Sequence, residues 1–402
     1  MNFLSCNKNV SNACCYSSVN DIPDVIFKQL TCLSNLYFNP EYLEALEKNN
    51  TQIQFAYIIL FNEANEAIGF TTFQIVDFHL DSVQNGMESI IEKVKCIGRR
   101  LKILSKEKHF KIITCGNIFV TGEHGVYIHP NQDKKKVFKQ FIKALLQFVN
   151  TDPVLKNEID AFMIKDFNKE SLLITNELHN EGYYSFKVEP NMIMKLNENW
   201  TTFEDYLAAM KTKFRVKAKR ALTQSAELIV KDIDTSMVEG LLPEMTHLYK
   251  KVSNNAGFNL GTFNLATYKT LKENLGDKYV LKGYWLNDSL IGFMSGIINE
   301  NTLDAHFVGI NYDLNRQYAI YQRMLYDYID LAISKQLKTV NFGRTASEIK
   351  SSIGAEPQEM TIYLRHKKSI PNKILSLFLK RIQPTEFRQK FPFKDNNFSE
   401  NE

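Results

Sequence analysis

The residues from Asp313 to Lys350 decide the fold of this chain. They begin Asp-Leu-Asn-Arg-Gln-Tyr-Ala-Ile-Tyr (313–321), continue through an amphipathic helix and an apolar strand, and reach Asn-Phe-Gly-Arg-Thr-Ala (341–346) before Lys350. An apolar strand at 303–310 precedes them. The order strand, loop, helix, strand places a helix N-terminus beside a strand end, where outward-pointing backbone N–H groups favour an anionic ligand. This stretch therefore predicts a ligand site.

A second signature lies upstream of this stretch. The sequence Phe-Glu-Asp-Tyr-Leu (203–207) is followed by six cations in ten residues, namely Lys211, Lys213, Arg215, Lys217, Lys219 and Arg220. Together with Phe342-Gly343 and Lys350, these residues resemble the GNAT acyltransferase superfamily, and more closely its FemAB-like branch with two GNAT domains in tandem. The resemblance covers 199–365 well and 41–196 more loosely. The glycine-containing pyrophosphate loop that is usual in GNAT proteins is absent, since 315–320 contains no glycine.

The resemblance implies a fold and an activity. The fold is of the α/β (α+β) class, with two tandem GNAT-like domains whose mixed β-sheets are flanked by helices, plus a C-terminal amphipathic helix. The activity is transfer of an acyl or aminoacyl group to an amine acceptor. No cofactor is expected to be tightly bound, and acyl-CoA or another activated acyl donor is the expected co-substrate. Acyl carrier protein and aminoacyl-tRNA are alternative donors.

Hydrophobic patterning along the chain predicts the same architecture twice. Each half reads as a hairpin, a strand, a helix, a strand and a closing strand. The predicted elements of the first half are strands at 55–61, 67–76, 111–120, 159–164, 183–188 and 191–196 with helices at 87–110, 135–148 and 172–181. Those of the second half are strands at 279–285, 289–298, 303–310, 339–342 and 360–366 with helices at 203–223, 241–251 and 320–335. We predict an N-terminal extension (1–29), domain 1 (30–196), domain 2 (197–368) and a basic helical tail (369–402).

The composition indicates a globular chain. Of the 402 residues, 44% are hydrophobic and 23% charged, and a net charge of +4 is too small to indicate nucleic-acid binding by itself. The six cysteines include no Cys-x-x-Cys pair, so reduced thiols in a cytoplasmic protein are expected, with an N-terminal disulfide or metal site as the alternative. No signal peptide, membrane span or metal site is predicted.

Five residues are candidates for the chemistry of acyl transfer. This reaction needs a base for the amine proton and a donor that stabilises the oxyanion. Asp304 and His306 are two apart on a predicted strand, so both side chains should face the same side and form an Asp–His pair. Tyr321 is a candidate acid for the leaving group, as are Tyr312 and Tyr318. The alternative for the pair is a solvated strand face or a structural histidine.

Two further groups are candidates for binding the donor and the acceptor. We assign the donor to residues around the predicted helix start, with surface salt bridges as the alternative for the cations: Gly309, Arg316, Ala319, Arg344 and Lys350. In the first half, Gly-Glu-His-Gly (122–125) predicts a tight loop that presents Glu123 and His124 to a substrate. The alternative is a plain turn.

A function of a different class stays open. The missing pyrophosphate loop and the basic tail favour a catalytically silent GNAT-like module that binds a partner or a membrane surface. The predicted helix at 370–383 either packs on domain 2 or makes a peripheral membrane contact, and packing is preferred. The six cations of 211–220 either contact an anionic substrate or form a solvated helix face.

Overall fold

The computed structural model describes residues 12–78, 110–254 and 260–394, so most of the helix predicted at 87–110 lies outside the described residues. The chain divides into two compact units, and neither is continuous in sequence. Unit 1 comprises Met1–Val188, Gly257–Phe263 and Glu359–Pro384, and unit 2 comprises Glu189–Ala256, Asn264–Gln358 and Thr385–Glu402. Elements are numbered in chain order below.

Unit 1 is built on one mixed sheet. Its strands are β1 (Ala13–Tyr16), β2 (Gln54–Phe61), β3 (Ala67–Phe78), β4 (Phe110–Cys115), β5 (Val126–Ile128), β6 (Ile159–Phe167), β7 (Tyr184–Lys187) and β15 (Thr361–His366). Its helices are α1 (Asp24–Leu30), α2 (Pro40–Asn49), α3 (Lys134–Thr151), α4 (Leu155–Glu158), α5 (Leu172–Thr175) and α13 (Ser369–Leu379). The order is β1-β2-β3-β4-β6-β15-β7, with β5 on β3, and only β4 and β6 pair in parallel among these strands.

Unit 2 is also built on one mixed sheet. Its strands are β8 (Asn191–Lys195), β9 (Ile229–Asp232), β10 (Tyr279–Leu286), β11 (Ser289–Asn299), β12 (Thr302–Ile310), β13 (Thr339–Asn341) and β14 (Glu356–Gln358). Its helices are α6 (Phe203–Ala209), α7 (Thr212–Gln224), α8 (Thr235–Asn254), α9 (Thr267–Leu275), α10 (Tyr312–Tyr318), α11 (Ile320–Ser334) and α12 (Ser347–Ser351). The order is β9-β10-β11-β12-β13-β8-β14, and only β12 and β13 pair in parallel within this sheet of the described chain.

The two sheets repeat one pattern of strand pairing. Each has three antiparallel pairs, then one parallel pair, then two antiparallel pairs. A parallel pair needs a crossover, and a helix supplies it in both units: α3 between β4 and β6, and α11 between β12 and β13. The predicted fold class of two tandem domains with mixed sheets is therefore confirmed.

The sixth strand of each sheet comes from elsewhere in the chain. β8 lies at the start of unit 2 and pairs with β13, and β15 follows β14 of unit 2 in sequence and pairs with β6 of unit 1. The predicted boundaries, domain 1 ending at 196 and domain 2 at 368, therefore differ from the observed units. The physical reason is that a strand belongs to the sheet that satisfies its backbone hydrogen bonds, whatever its place in the chain.

The predicted tail (369–402) is not separate from the two units, since its residues up to Pro384 belong to unit 1 and those from Thr385 belong to unit 2. Asn372 on α13 donates from Nδ2 to the Gly182 carbonyl and accepts from the His366 N–H at its Oδ1, both over 2.8 Å. Leu379 is buried, whereas Ile370 and Leu377 are exposed. The helix therefore packs on unit 1, rather than on the second domain as the sequence suggested.

The polar interior of unit 1 contains an ion pair. The Lys165 ammonium lies 2.6 Å from the Asp166 carboxylate, and the two residues are 5% and 0% exposed. Lys165 also donates to the carbonyls of Asn117 (2.7 Å) and Val120 (2.9 Å), which hold the loop that follows β4. Charges so deeply buried are retained only when they are paired and hydrogen-bonded.

The cysteines and the longer helices bear on two expectations about the whole chain. Cys14 is disulfide-bonded, so the expectation that all six cysteines are reduced is wrong, whereas Cys15, Cys32 and Cys115 are free thiols. Among the described helices, none combines the length and apolarity that crossing a membrane requires.

Candidate functional site

The candidate site lies where β12 and β13 of unit 2 diverge. Their parallel ladder joins Thr302, Leu303 and Asp304 to Thr339, Val340 and Asn341, and it stops there although β12 continues to Ile310. Beyond Asp304, the edge of β12 on this side is therefore not covered by β13. A free strand edge offers backbone N–H and C=O groups to an extended ligand.

A β-bulge accompanies this divergence. On the other side of β12, Ala305 pairs with Gly296 and Val308 with Met294, so β12 carries one extra residue opposite Ser295. The Ser295 hydroxyl fills the gap, because it accepts from the Phe307 N–H (3.1 Å) and donates to the Phe307 carbonyl (2.9 Å). A bulge bends its strand and increases the local twist. This bending fits the separation of β12 from β13.

The turn after β13 is fastened by Lys350. Its ammonium, on the short helix α12, donates to the carbonyls of Phe342 (2.7 Å), Gly343 (3.2 Å) and Arg344 (2.6 Å). Lys350 is 4% exposed, and burial lowers its pKa to about 7. Three donors converging on three successive carbonyls fix the path of this turn at the mouth of the divergence.

A second set of hydrogen bonds fixes the same turn from β13. Asn341 donates from Nδ2 to the Asp304 carboxylate (2.7 Å) and accepts from the Gly343 N–H (3.0 Å) at Oδ1. The turn is also strained, because Thr345 and Ala346 have φ values of 68° and 51° in the left-handed region. Strained backbone that the surroundings hold in place is typical of functional sites.

The predicted catalytic residues Asp304 and His306 have different hydrogen-bond partners. Asp304 is buried and bonded to Asn341, whereas the His306 Nδ1 lies 3.4 Å from the Ser295 hydroxyl. Burial lowers the pKa of His306 to about 3, whereas a carboxylate partner would raise it. Tyr321 lies in the first turn of α11, and burial raises its pKa. Asp304 therefore belongs to the divergence, burial dominates the electrostatics of His306, and the Asp–His pair stays a prediction.

The predicted donor residues fall into two groups. Lys350 and Arg344 belong to the fastened turn, Lys350 as its ammonium donor and Arg344 through its carbonyl. A Cβ atom on Gly309 would lie 2.2 Å from the Phe293 ring, so this glycine permits close packing of β12 on its neighbour. Arg316 is exposed on α10, and Ala319, at φ 46°, is the junction between α10 and α11.

The loop expected at 315–320 is mostly helix. Residues up to Tyr318 form α10, and only Ala319 separates it from α11. Within the first turn of α11, the Tyr321 N–H donates to the Asn315 side-chain oxygen over 2.9 Å. An N–H group at the predicted anion site is therefore already used by a side chain of the protein.

The predicted substrate residues Glu123 and His124 make their contacts within unit 1. The Glu123 carboxylate accepts from the Asn168 N–H (2.5 Å) and the Ser171 hydroxyl (2.9 Å). The His124 ring lies on the Tyr37 ring, with centroids 3.8 Å apart, and burial lowers the His124 pKa to about 3. Both side chains hold the loop after β4 in place.

In unit 1 the equivalent parallel ladder also stops where one of its two strands ends, and β6 continues to Phe167. The parallel ladder between β4 and β6 extends to Cys115 and Ile164, at the end of β4. The loop that follows is tied to Lys165, two residues short of the end of β6. The strand end past the ladder is therefore shorter in unit 1 and its Lys165 side chain holds a loop of the protein, whereas β12 of unit 2 continues six residues past Asp304 to Ile310.

The low pKa of His306 gives a testable expectation. Its value of about 3 in the folded chain, against about 6.5 when unfolded, means that the imidazole stays neutral above pH 5. We expect the His306 ring resonances, assigned with a His306→Gln variant, to keep their chemical shifts between pH 8 and pH 5 in NMR spectra. An inflection near pH 6.5 would contradict this and restore His306 as a base. Because only the unfolded chain takes up this proton, the linked stability decreases as the pH falls below about 6.5.

Residues that the sequence interpretation did not assign also shape the site. Asn341, Ser295 and Asn315 each bond to backbone that borders the divergence or the α10–α11 junction. Asn341 directly precedes the Phe-Gly signature, and in the sequence only this position indicated that Asn341 could belong to the site. Its importance depends on the register that places it beside Asp304.

Comparisons with known proteins agree with this architecture. A family model described as FemAB-like, peptidoglycan biosynthesis/recognition, matches residues 120–394. A tandem GNAT protein from the clavulanic acid biosynthesis pathway is similar with a TM-score of 0.53 and 9% identity, over 87% of this chain and 96% of that one. The crystal structure of FemX gives a TM-score of 0.49 and 12% identity, over 83% of this chain and 92% of that one. No curated protein matches the sequence.

Proposed function

Because this chain belongs to the FemAB-like family, we propose that it transfers an acyl or aminoacyl group from an activated donor to an amine at the divergence in unit 2. Family and fold together support a transferase that acts on an amine acceptor. We propose acyl-CoA, acyl carrier protein or aminoacyl-tRNA as the donor. The identity of the acceptor is also part of the proposal. The family description makes an amine on a peptidoglycan precursor the first acceptor to test.

The observation that carries the proposal is the early end of the β12–β13 ladder at Asp304 and Asn341. We assign to the part of β12 beyond its pairing with β13 the role of donating N–H groups to the donor carbonyl as it becomes an oxyanion. The turn that Lys350 fastens borders this edge. A rigid border holds a reacting group in place, so that little further entropy is lost when the reaction takes place.

The proposed reaction has a simple balance of atoms. The amine nitrogen attacks the donor carbonyl carbon, and a C–N bond forms. The bond from this carbon to the leaving sulfur or oxygen breaks, and the nitrogen loses one proton. Asp304 is the carboxylate at the divergence, and we assign it the role of accepting this proton or of orienting the amine through Asn341.

The proposal predicts a large effect of Asp304→Asn on the rate. The full chain is supplied with acetyl-CoA or a mixture of aminoacyl-tRNAs, and with a muramyl peptide that carries a free lysine amine, and the product is identified by mass spectrometry. Because general-base catalysis contributes about 10²-fold or more, kcat should decrease by at least about 100-fold while KM for the donor changes little. The matched control is Asp313→Asn, whose side chain is 88% exposed on α10.

Two outcomes would count against this assignment. Equal kcat values for wild type and Asp304→Asn would remove Asp304 from the reaction. Failure of the wild-type chain to transfer from any of the donors would favour the catalytically silent binding module.

A further inference from the structure

A basic cavity in unit 2 lies apart from the expected anion site. It has a volume of about 400 Å³, and its walls come from the start of α7 and from the segment that follows Thr385. Five of its lining residues are cations, namely Lys211, Lys213, Lys217, Arg388 and Lys390. The Glu348 carboxylate, which lies outside this lining, pairs with one of them, Lys390, at 2.7 Å. Cations that converge on one cavity attract a ligand with several negative charges.

The chain builds this cavity by fixed backbone contacts. The Lys211 N–H donates to the Pro392 carbonyl (2.7 Å), and the Lys394 N–H donates to the Ala209 carbonyl (3.0 Å). These bonds hold Arg388 and Lys390 on the same cavity as the cations of α7. The convergence of charge is therefore a property of the folded backbone and not of mobile side chains alone.

The charge arrangement around α7 is unfavourable for the protein by itself. Lys213 lies in the first turn of α7, where the helix dipole is positive, and no acidic residue is present there. Lys213 and Lys217 are also an i, i+4 pair of like charge, which destabilises a helix slightly. An anionic ligand would relieve both effects.

An aromatic ring gives the cavity a second property. Phe391 lines it and is 58% exposed, although phenylalanine side chains are usually buried in folded proteins. Cations beside an exposed ring are typical of sites that bind phosphates while a base stacks on the ring. The cavity therefore suits a nucleotide.

A second cavity adjoins this one and is lined in part by α12. It has a volume of about 310 Å³ and shares Phe214, Lys217 and Lys390 with the first. Its far wall includes Glu348 and Ile349 on α12, and the next residue is Lys350. The nucleotide cavity thus adjoins the short helix that fastens the turn at the divergence.

We infer that the cavity around Lys213 and Arg388 binds the phosphorylated adenine-nucleotide part of the acyl donor. This inference rests on the proposed transfer function. It places the donor phosphates away from the α11 N-terminus, where Asn315 already accepts from the Tyr321 N–H. Coenzyme A and the single-stranded 3′ end of a tRNA both carry such a nucleotide, and the test distinguishes them.

The test measures binding without any acceptor or transfer. Coenzyme A is titrated into the full chain by calorimetry, and a fluorescein-labelled single-stranded RNA ending in CCA is titrated by fluorescence anisotropy. The variant is Lys213→Ala/Lys217→Ala/Arg388→Ala, and the control is Lys219→Ala/Arg220→Ala, two exposed cations of α7 that do not line the cavity. All five side chains are at the surface, so both variants should melt at the wild-type temperature.

We expect the triple variant to lose affinity for one probe by on the order of 30-fold, because three charge-assisted contacts are removed. The control should keep wild-type affinity, and the affected probe identifies the donor. If the probe is RNA, the slope of log affinity against log salt should also fall by about 2. Equal affinities of wild type and triple variant, or wild-type chain that binds neither probe, would overturn the inference. Because these experiments measure binding and not transfer, a negative result would not decide the outcome of the Asp304→Asn rate measurement.

Discussion

Lys350→Met is expected to reduce transfer by on the order of 100-fold and to destabilise unit 2. Methionine has a similar length but no N–H groups, so the carbonyls of Phe342, Gly343 and Arg344 lose their donor. A buried carbonyl left without a partner costs about 1–3 kcal/mol, and a displacement of about 1 Å at a reacting group costs about 10²-fold in rate. The measurements are kcat with the donor identified above and unfolding in urea.

The control for this substitution is Lys338→Met, which removes a lysine whose side chain is 67% exposed. It should leave both the rate and the stability close to wild type. A Lys350→Met chain with wild-type kcat would show that the fastened turn is not needed for transfer. In that case Lys350 would serve stability alone.

Lys165→Met is expected to destabilise unit 1 by about 3–5 kcal/mol, the range for removing one partner of a buried ion pair. The Asp166 carboxylate, 0% exposed, would remain buried without its ammonium partner at 2.6 Å. Asp166 has a φ of 68°, and asparagine is well tolerated in this region. The double variant Lys165→Met/Asp166→Asn should therefore recover part of the loss.

The experiment can report the two units separately. Both tryptophans, Trp200 and Trp285, lie in unit 2, so their fluorescence follows unit 2 while circular dichroism follows the whole chain. In urea, Lys165→Met should shift the dichroism transition to lower urea and leave the tryptophan transition near that of wild type. A double variant less stable than the single one would contradict the ion-pair explanation.

Local patterns in the sequence predicted much of the fold. The strand expected at 303–310 is β12 (Thr302–Ile310), and the helix expected at 320–335 is α11 (Ile320–Ser334), since alternation and helical spacing of apolar residues are local properties. The strand expected at 111–120 instead ends at Cys115. Gly116 has a φ of 113°, and the loop after it is held by bonds to the distant Lys165.

The candidate site was predictable only in part, because some of its residues matter through contacts with distant parts of the chain. Asp304 and Lys350 stand in recognisable local surroundings, but Asn341 matters because a parallel register places it opposite Asp304. The bulge opposite Ser295 likewise depends on the pairing of two strands. Registers and bulges arise from contacts between distant segments, and single-sequence patterns carry no information about them.

The origin of β15 has a consequence for biosynthesis. A ribosome that has released residues 1–188 has not yet made 361–366, so β6 (Ile159–Phe167) is at that stage the edge of an incomplete sheet. Eight of its nine residues are buried in the finished protein, and an unpaired strand edge is a template for pairing with other chains. Nascent chains are therefore most vulnerable during translation of the second half, and gene fragments that stop near codon 196 would preserve this vulnerability permanently.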